Sequence, residues 1–279
     1  MNLAVPEGES EQSSADLSRP STVTLVLIPF LIVCIWIIEN YLLTEGALVS
    51  GKTSLLGLFL YTLLSCVLVG IIVPLIRIRA AFRAGAVNMF QIGFRTLRRT
   101  VAAVSLTALA VYTLVLFLRI YGTGPDRDTG FFLAGLLLPT AIAAVMICWG
   151  LLGTHIQAYV RSGGILVSVI IGVVVTALVF ALSMTLLLAS GRIAEAFPGY
   201  FAAGIAAALF FFAVRDIYAT IVAVTGALVV LAGSAPGFSY LYSLVPAAAV
   251  CAFLTLAVLV AAHGHFSRHY TTVKLPEKQ

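Results

Sequence analysis

The chain has 279 residues, 61% of them hydrophobic and 10% charged, with a formal net charge of +5 and a mean hydropathy of +1.11. A soluble domain carries roughly 25% charged residues, so an ordinary water-soluble globular fold is excluded and hydrocarbon must be the solvent for most of this polypeptide. The positive charge flanks apolar runs and is not gathered on a polar domain, which points to anionic lipid headgroups and away from nucleic acid as a partner.

Backbone groups in hydrocarbon must be satisfied internally, which leaves a helix bundle or a closed barrel. The apolar runs continue for roughly 16 to 25 residues, without the ten-residue alternation of barrel strands. The expected fold class is therefore all-α, a polytopic transmembrane helix bundle of about eight spans, with seven as the rival count. Three regions are expected: a disordered cytoplasmic tail at 1–21, a membrane domain at 22–263 and a cytoplasmic tail at 264–279.

In chain order, residues 1–21 are polar, with Glu7, Glu9, Glu11, Asp16 and five serines. They lack the basic start, short apolar core and small-residue cleavage site of a secretory signal. The first span is expected at about 23–43. Near its outer end stands Glu39, followed by Asn40 and Tyr41. An ionisable group at that depth is either solvated at the interface or part of a proton or cation site. A salt bridge to Arg119, at the same end of the third span, is geometrically allowed.

Between the first two spans, residues 46–53 satisfy G-x-x-x-x-G-K-[ST], the phosphate-cradling pattern. That loop needs a preceding strand, a following helix and a carboxylate on a neighbouring strand. Apolar spans flank it here, so the match reads as an outer turn with one lysine at the headgroups.

After the second span (about 54–76) comes an acid-free stretch, 77–99, with six arginines: Arg77, Arg79, Arg83, Arg95, Arg98 and Arg99. Lys and Arg near helix ends fix the cytoplasmic side. Placing this loop inside also puts Arg19, Arg161, Arg215, Arg268, Lys274, Lys278 and both termini inside. Twelve basic residues then lie inside, against Lys52, Arg119, Arg127 and Arg192 outside. The loop's arginines are candidates for binding anionic headgroups at the inner leaflet, or for docking a membrane or cytosolic protein. Phe90, Phe94 and Leu97 recur at helical spacing, compatible with an amphipathic segment lying on that leaflet, although Gly85 and Gly93 weaken the helix.

Further spans are expected at about 100–120, 131–154, 164–188, 198–214, 217–233 and 239–262. The sixth and seventh decide the count. Residues 197–238 would make about 63 Å of helix at 1.5 Å per residue, just enough for two crossings of about 30 Å. The turn would fall at Arg215-Asp216, at the inner membrane edge. The rival is one tilted span with a buried Arg-Asp pair. On the two-span reading Arg215 snorkels and Asp216 caps the next helix; otherwise each meets a polar group on another helix. In the sixth span Ala203, Gly204, Ala207 and Ala208 share one side, a pattern that lets helix backbones approach closely.

Pro29, Pro74, Pro139 and Pro246 lie inside spans, where they kink helices. Cys34, Cys66, Cys148 and Cys251 each stand alone in a different apolar run and read as small buried apolar residues. His263, His265 and His269 follow the last span without the carboxylate or cysteine that a metal site would need. No cofactor and no metal is expected.

Three functional classes remain. The first is a transporter or permease, or its membrane subunit, with Glu39, Arg119, Arg215 and Asp216 on or near its path. The second is a non-catalytic subunit of a membrane complex. The third is an intramembrane enzyme acting on a lipid substrate; it ranks last because no acid-base pair, nucleophile or metal motif appears within the spans. A multi-pass protein of the cell membrane is the common expectation.

Overall fold

The structure, a computed structural model, describes residues 26–44, 54–83, 89–122, 124–160, 163–188, 193–233 and 244–270, excepting the side chains of 83, 89, 90 and 267–270. The N-terminal tail, the 46–53 turn, Arg161, Arg192 and residues 271–279 lie outside the described residues.

Nine helices are described: α1 (Ile28–Thr44), α2 (55–83), the single-turn α3 (Met89–Ile92), α4 (Leu97–Ile120), α5 (Arg127–Val160), α6 (Ile165–Leu188), α7 (Ile193–Val214), α8 (Ile217–Gly233) and α9 (Val245–Tyr270). No strand occurs among the described residues, and the chain is an all-α bundle. Six helices have the length and apolar composition to cross a membrane; α1 and α8 are shorter apolar helices. These eight coincide with the eight predicted segments. At 17 residues each, α1 and α8 span about 25 Å at 1.5 Å per residue.

The count turns on the join between α7 and α8. Helical geometry stops at Val214 and resumes at Ile217, and Arg215 between them has φ +53°, a left-handed conformation that ends a helix. Leu231, near the far end of α8, packs against Gly199, near the start of α7. The chain therefore doubles back on itself, and a single continuous span through 197–238 is excluded.

The centre of the bundle is α5. Within its most apolar window 78% of residues are buried, and the apolar side chains from Ala141 to Leu151 are fully enclosed. A helix apolar on every side must be covered on every side. It is covered by α2, α6, α8 and α9. Both α2 and α5 contain π-wound stretches, Tyr61–Ile72 and Val145–Gly153. In α2 that stretch ends just before Pro74, with the Val73 N–H donating to the Leu68 carbonyl. Proline offers no N–H and its ring crowds the carbonyl four residues back, and the wider winding relieves that conflict. The two helices cross closely at Gly70, where a Cβ would come within 2.5 Å of the Ala143 Cβ. Beside the crossing, the hydroxyls of Tyr61 and Thr140 are hydrogen-bonded at 2.9 Å.

The small-residue face of α7 packs within the bundle. Gly204, Ala207 and Ala208 are buried, and Gly204 lies directly on the Ala177 backbone of α6. Helix α4 stands apart: only 6% of its apolar window is buried, and its main neighbour is α8. Val111 of α4 there fills the space left by the missing side chain of Gly226.

The amphipathic reading of 90–97 is corrected. Gly93 has φ +92° and breaks the helix between α3 and α4. Phe94 turns inward, 6% exposed, and packs on His263 and Phe266 of α9. A helix lying flat on a leaflet would need that ring on its outer face.

Candidate functional site

Polar groups converge at two places, one at each end of the bundle. The first is the α7–α8 turn. Arg95, from the loop between α3 and α4, donates from Nε to the Arg215 carbonyl at 2.8 Å and from Nη2 to the Val214 carbonyl at 2.9 Å. These are end-of-helix carbonyls without helical partners, which a basic side chain near a C-terminus satisfies. The Ile217 N–H, at the start of α8, donates to the Gly93 carbonyl at 3.1 Å. A three-residue stretch of the Arg-rich loop thus closes both sides of the turn.

Arg215 reaches outward from the turn. Its Nη2 donates to Gln157 Oε1 of α5 at 2.8 Å and its Nη1 to the Gln91 carbonyl at 3.2 Å. Its guanidinium carbon lies 5.0 Å from the Phe212 ring centre, within cation–π range. Asp216 is 1% exposed. One carboxylate oxygen accepts the Ala219 N–H at 2.9 Å, as an N-cap does, and the other accepts the Thr100 hydroxyl of α4 at 2.8 Å. Nearby, the Tyr218 hydroxyl and His263 Nδ1 are hydrogen-bonded at 3.0 Å. Burial pulls the pKa of both guanidinium groups below the ordinary arginine value. The neighbouring Arg99 lowers that of Arg95 further, while Asp216 raises it; Arg95 in turn lowers that of Arg215. So compact a cluster has bonded oxygens and nitrogens facing carbonyls, hydroxyls and amides. It holds five helices, α4, α5, α7, α8 and α9, and the loop before α4 in register.

The second place is one face of α1, in the half of the bundle remote from the Arg-rich loop. Trp36 and Asn40, one helical turn apart, are 0% and 1% exposed, and Glu39 beside them is partly buried. Asn40 Oδ1 accepts from the Ser65 hydroxyl of α2. Trp36 Nε1, Glu39 Oε2 and Asn40 Nδ2 are buried and have no hydrogen-bond partner among the described residues. Thr185 Oγ1, three residues from the end of α6, is likewise buried without one. Helix α6 packs against α1.

The predicted residues separate accordingly. Arg215 and Asp216 meet at the turn, joined by Arg95. Glu39 stands on the α1 face. Arg119 is exposed at the end of α4, and no Glu39–Arg119 ion pair forms; Arg119 instead lies near Asp126 and helps hold its carboxyl low. Arg98 and Arg99 are exposed, and Arg77 and Arg79 are partly exposed at the end of α2. The Arg79 Nε is buried and without a partner among the described residues. The side chain of Arg83 lies outside the described residues. All four cysteines are free thiols, three of them buried.

Sequence reasoning did not single out Trp36, Ser65, Thr100, Gln157 or Tyr218. A tryptophan in an apolar run reads as apolar, and a threonine at a span's start reads as a boundary. For Arg95 a signal existed: Gly93-Phe94-Arg95 is a glycine-broken link between helices, the place for a side chain that caps another element.

No family model matches this chain, and no curated protein or solved structure is significantly similar to it.

Proposed function

We propose that this chain is a multi-pass protein of the cell membrane that moves a small polar solute, either as a transporter in its own right or as the membrane subunit of one. The observation that carries this reading is the α1 face, where Trp36, Glu39 and Asn40 hold buried polar atoms with no hydrogen-bond partner among the described residues. Such atoms cost several kcal/mol each in hydrocarbon, and a solute or water on a pathway would offset that cost. The Arg215–Asp216 turn no longer supports a transport role, because its groups are occupied with structural bonds. On this reading the Arg-rich loop and both termini face the cytoplasm. Arg77, Arg79, Arg98 and Arg99 then meet anionic headgroups, whereas Arg95 is engaged at the turn.

The test is flux. Vesicles containing the purified chain should reswell faster than protein-free vesicles in at least one of a panel of glycerol, urea, sodium chloride and potassium chloride. Glu39→Gln should slow that reswelling, and Arg98→Ala should not. Unchanged reswelling across the panel, with the protein folded, would remove the transport reading. A second reading, a non-catalytic subunit of a membrane complex, is favoured by α4, of whose apolar window only 6% is buried within the bundle. Co-purification of a stoichiometric membrane partner, lost on disrupting α4, would support it.

A further inference from the structure

The inference rests on the transport reading and specifies what the α1 face takes. Its free atoms define a chemistry. Trp36 Nε1 is a donor only, and the Asn40 amide nitrogen is a donor; Asn40 Oδ1 already accepts from Ser65. Glu39 Oε2 accepts. A metal ion or monovalent cation wants oxygens around it and would meet two N–H groups. An anion would suit those N–H groups and meet the Glu39 carboxyl. A hydroxyl fits both: its oxygen accepts from Trp36 and Asn40, and its hydrogen goes to Glu39.

We infer that this face binds a neutral hydroxyl group, that of a water molecule or of a small polyol. Buried waters commonly bridge otherwise unsatisfied polar groups, about one per 27 residues, provided that two to four polar partners converge. Trp36 and Asn40 share one side of α1, and Glu39 lies between them in the sequence. Ser65 of α2 fixes the Asn40 amide so that its nitrogen faces away from that bond.

The chain has two tryptophans, which makes the test direct. Replacing Trp149 by Phe leaves Trp36 as the sole tryptophan, excited where tyrosine does not absorb, in full-length protein held in lipid nanodiscs without any gradient. A polyol site predicts a saturable shift of Trp36 emission on adding glycerol, absent in Trp36→Phe with Trp149 retained, and lost in Asn40→Leu. A water site predicts no saturable glycerol response, but an emission change on transfer to deuterium oxide that Asn40→Leu abolishes. Should Asn40→Leu fail to fold, Asn40→Ser serves in its place, with the response weakened. A response to sodium chloride in place of glycerol, or no response to any of the three, overturns the proposal. Because binding is read without flux, its failure is separable from that of the transport reading. Binding without reswelling keeps the hydroxyl site and removes transport, and reswelling without binding does the reverse.

Discussion

At the scale of single residues, the Arg215–Asp216 turn sets two effects against each other. A left-handed backbone at a non-glycine residue costs of order 1–3 kcal/mol, which Arg215→Gly would relieve in part. The same change removes the bonds to Gln157 and the Gln91 carbonyl, and hydrogen bonds to charged groups contribute roughly 1.5–3 kcal/mol each. The bonds win, so Arg215→Gly should lower stability. Asp216→Ala leaves the Thr100 hydroxyl and the Ala219 N–H without acceptors and should cost about 2–3 kcal/mol. Asp216→Asn keeps a capping oxygen and should cost about 1 kcal/mol or less. Thermal unfolding in detergent ranks the three. An Asp216→Asn variant that keeps its melting temperature but loses all flux would return this residue to the transport path and defeat the structural assignment.

Electrostatics at the opposite end give a pH dependence with a definite sign. Asp126 caps α5 by accepting the Thr129 N–H at 3.0 Å. Its carboxyl is held below the usual range, chiefly by hydrogen bonding to Thr129 and further by Arg119, while desolvation opposes the shift. A depressed carboxyl contributes stability above its unfolded value, about pH 4, and loses it as pH falls through the folded value. Unfolding followed against pH should therefore show a decline below about pH 4 that is shallower in Asp126→Asn. Equal slopes would mean that the cap does not matter.

Among the elements, α4 is the informative one, because it is attached mainly through α8. At Gly226 the approach is so close that any side chain would collide with Val111. Overpacking of this kind costs typically 1–3 kcal/mol, and here the strain acts on the attachment of one helix. Gly226→Ala should therefore destabilise by about 1–3 kcal/mol, and Val111→Ala in the same chain should restore most of the loss. Stabilities of both single variants and the double variant, completing a cycle, measure the coupling. Simple additivity would show that the two helices do not meet there. This contact was not legible in the sequence, since nothing in the letters pairs residue 111 with 226. The break between α7 and α8 was legible, because the 42-residue, mostly apolar stretch 197–238 exceeds what one crossing can hold and a charged pair sits near its midpoint. The packing face at Gly204, Ala207 and Ala208 was legible for a similar reason, as its spacing is local. Phe94 was misread because period alone assigns a face without saying which surface that face meets; the backbone reversal at Gly93 decided it.

For the molecule as a whole, the geometry ties distant parts of the chain to one end. Arg95, Gln157, Arg215, Asp216, Tyr218 and His263 come from the loop before α4, from the ends of α5, α7 and α9, and from the start of α8, and they touch or neighbour one another. Sequence counting assigned every one of those segments to the arginine-rich side, with Asp126 and Gly233 at the other. In the fold Gly233 indeed meets Pro125 beside Asp126, far along the helices from Arg95. An even number of crossings is what allows this grouping, since one span fewer would send α9 and its His263 to the opposite end. The proposed cytoplasmic placement of the arginine-rich end rests on charge alone, because basic residues near span ends tend to be retained on that side. A chain with its native cysteines replaced by Ser or Ala, carrying either Arg98→Cys or Asp128→Cys, puts this to measurement. A membrane-impermeant maleimide should label position 128 in intact cells and position 98 only after lysis. Labelling of both in intact cells would break the grouping into ends, and the reverse pattern would keep the bundle while inverting it in the membrane.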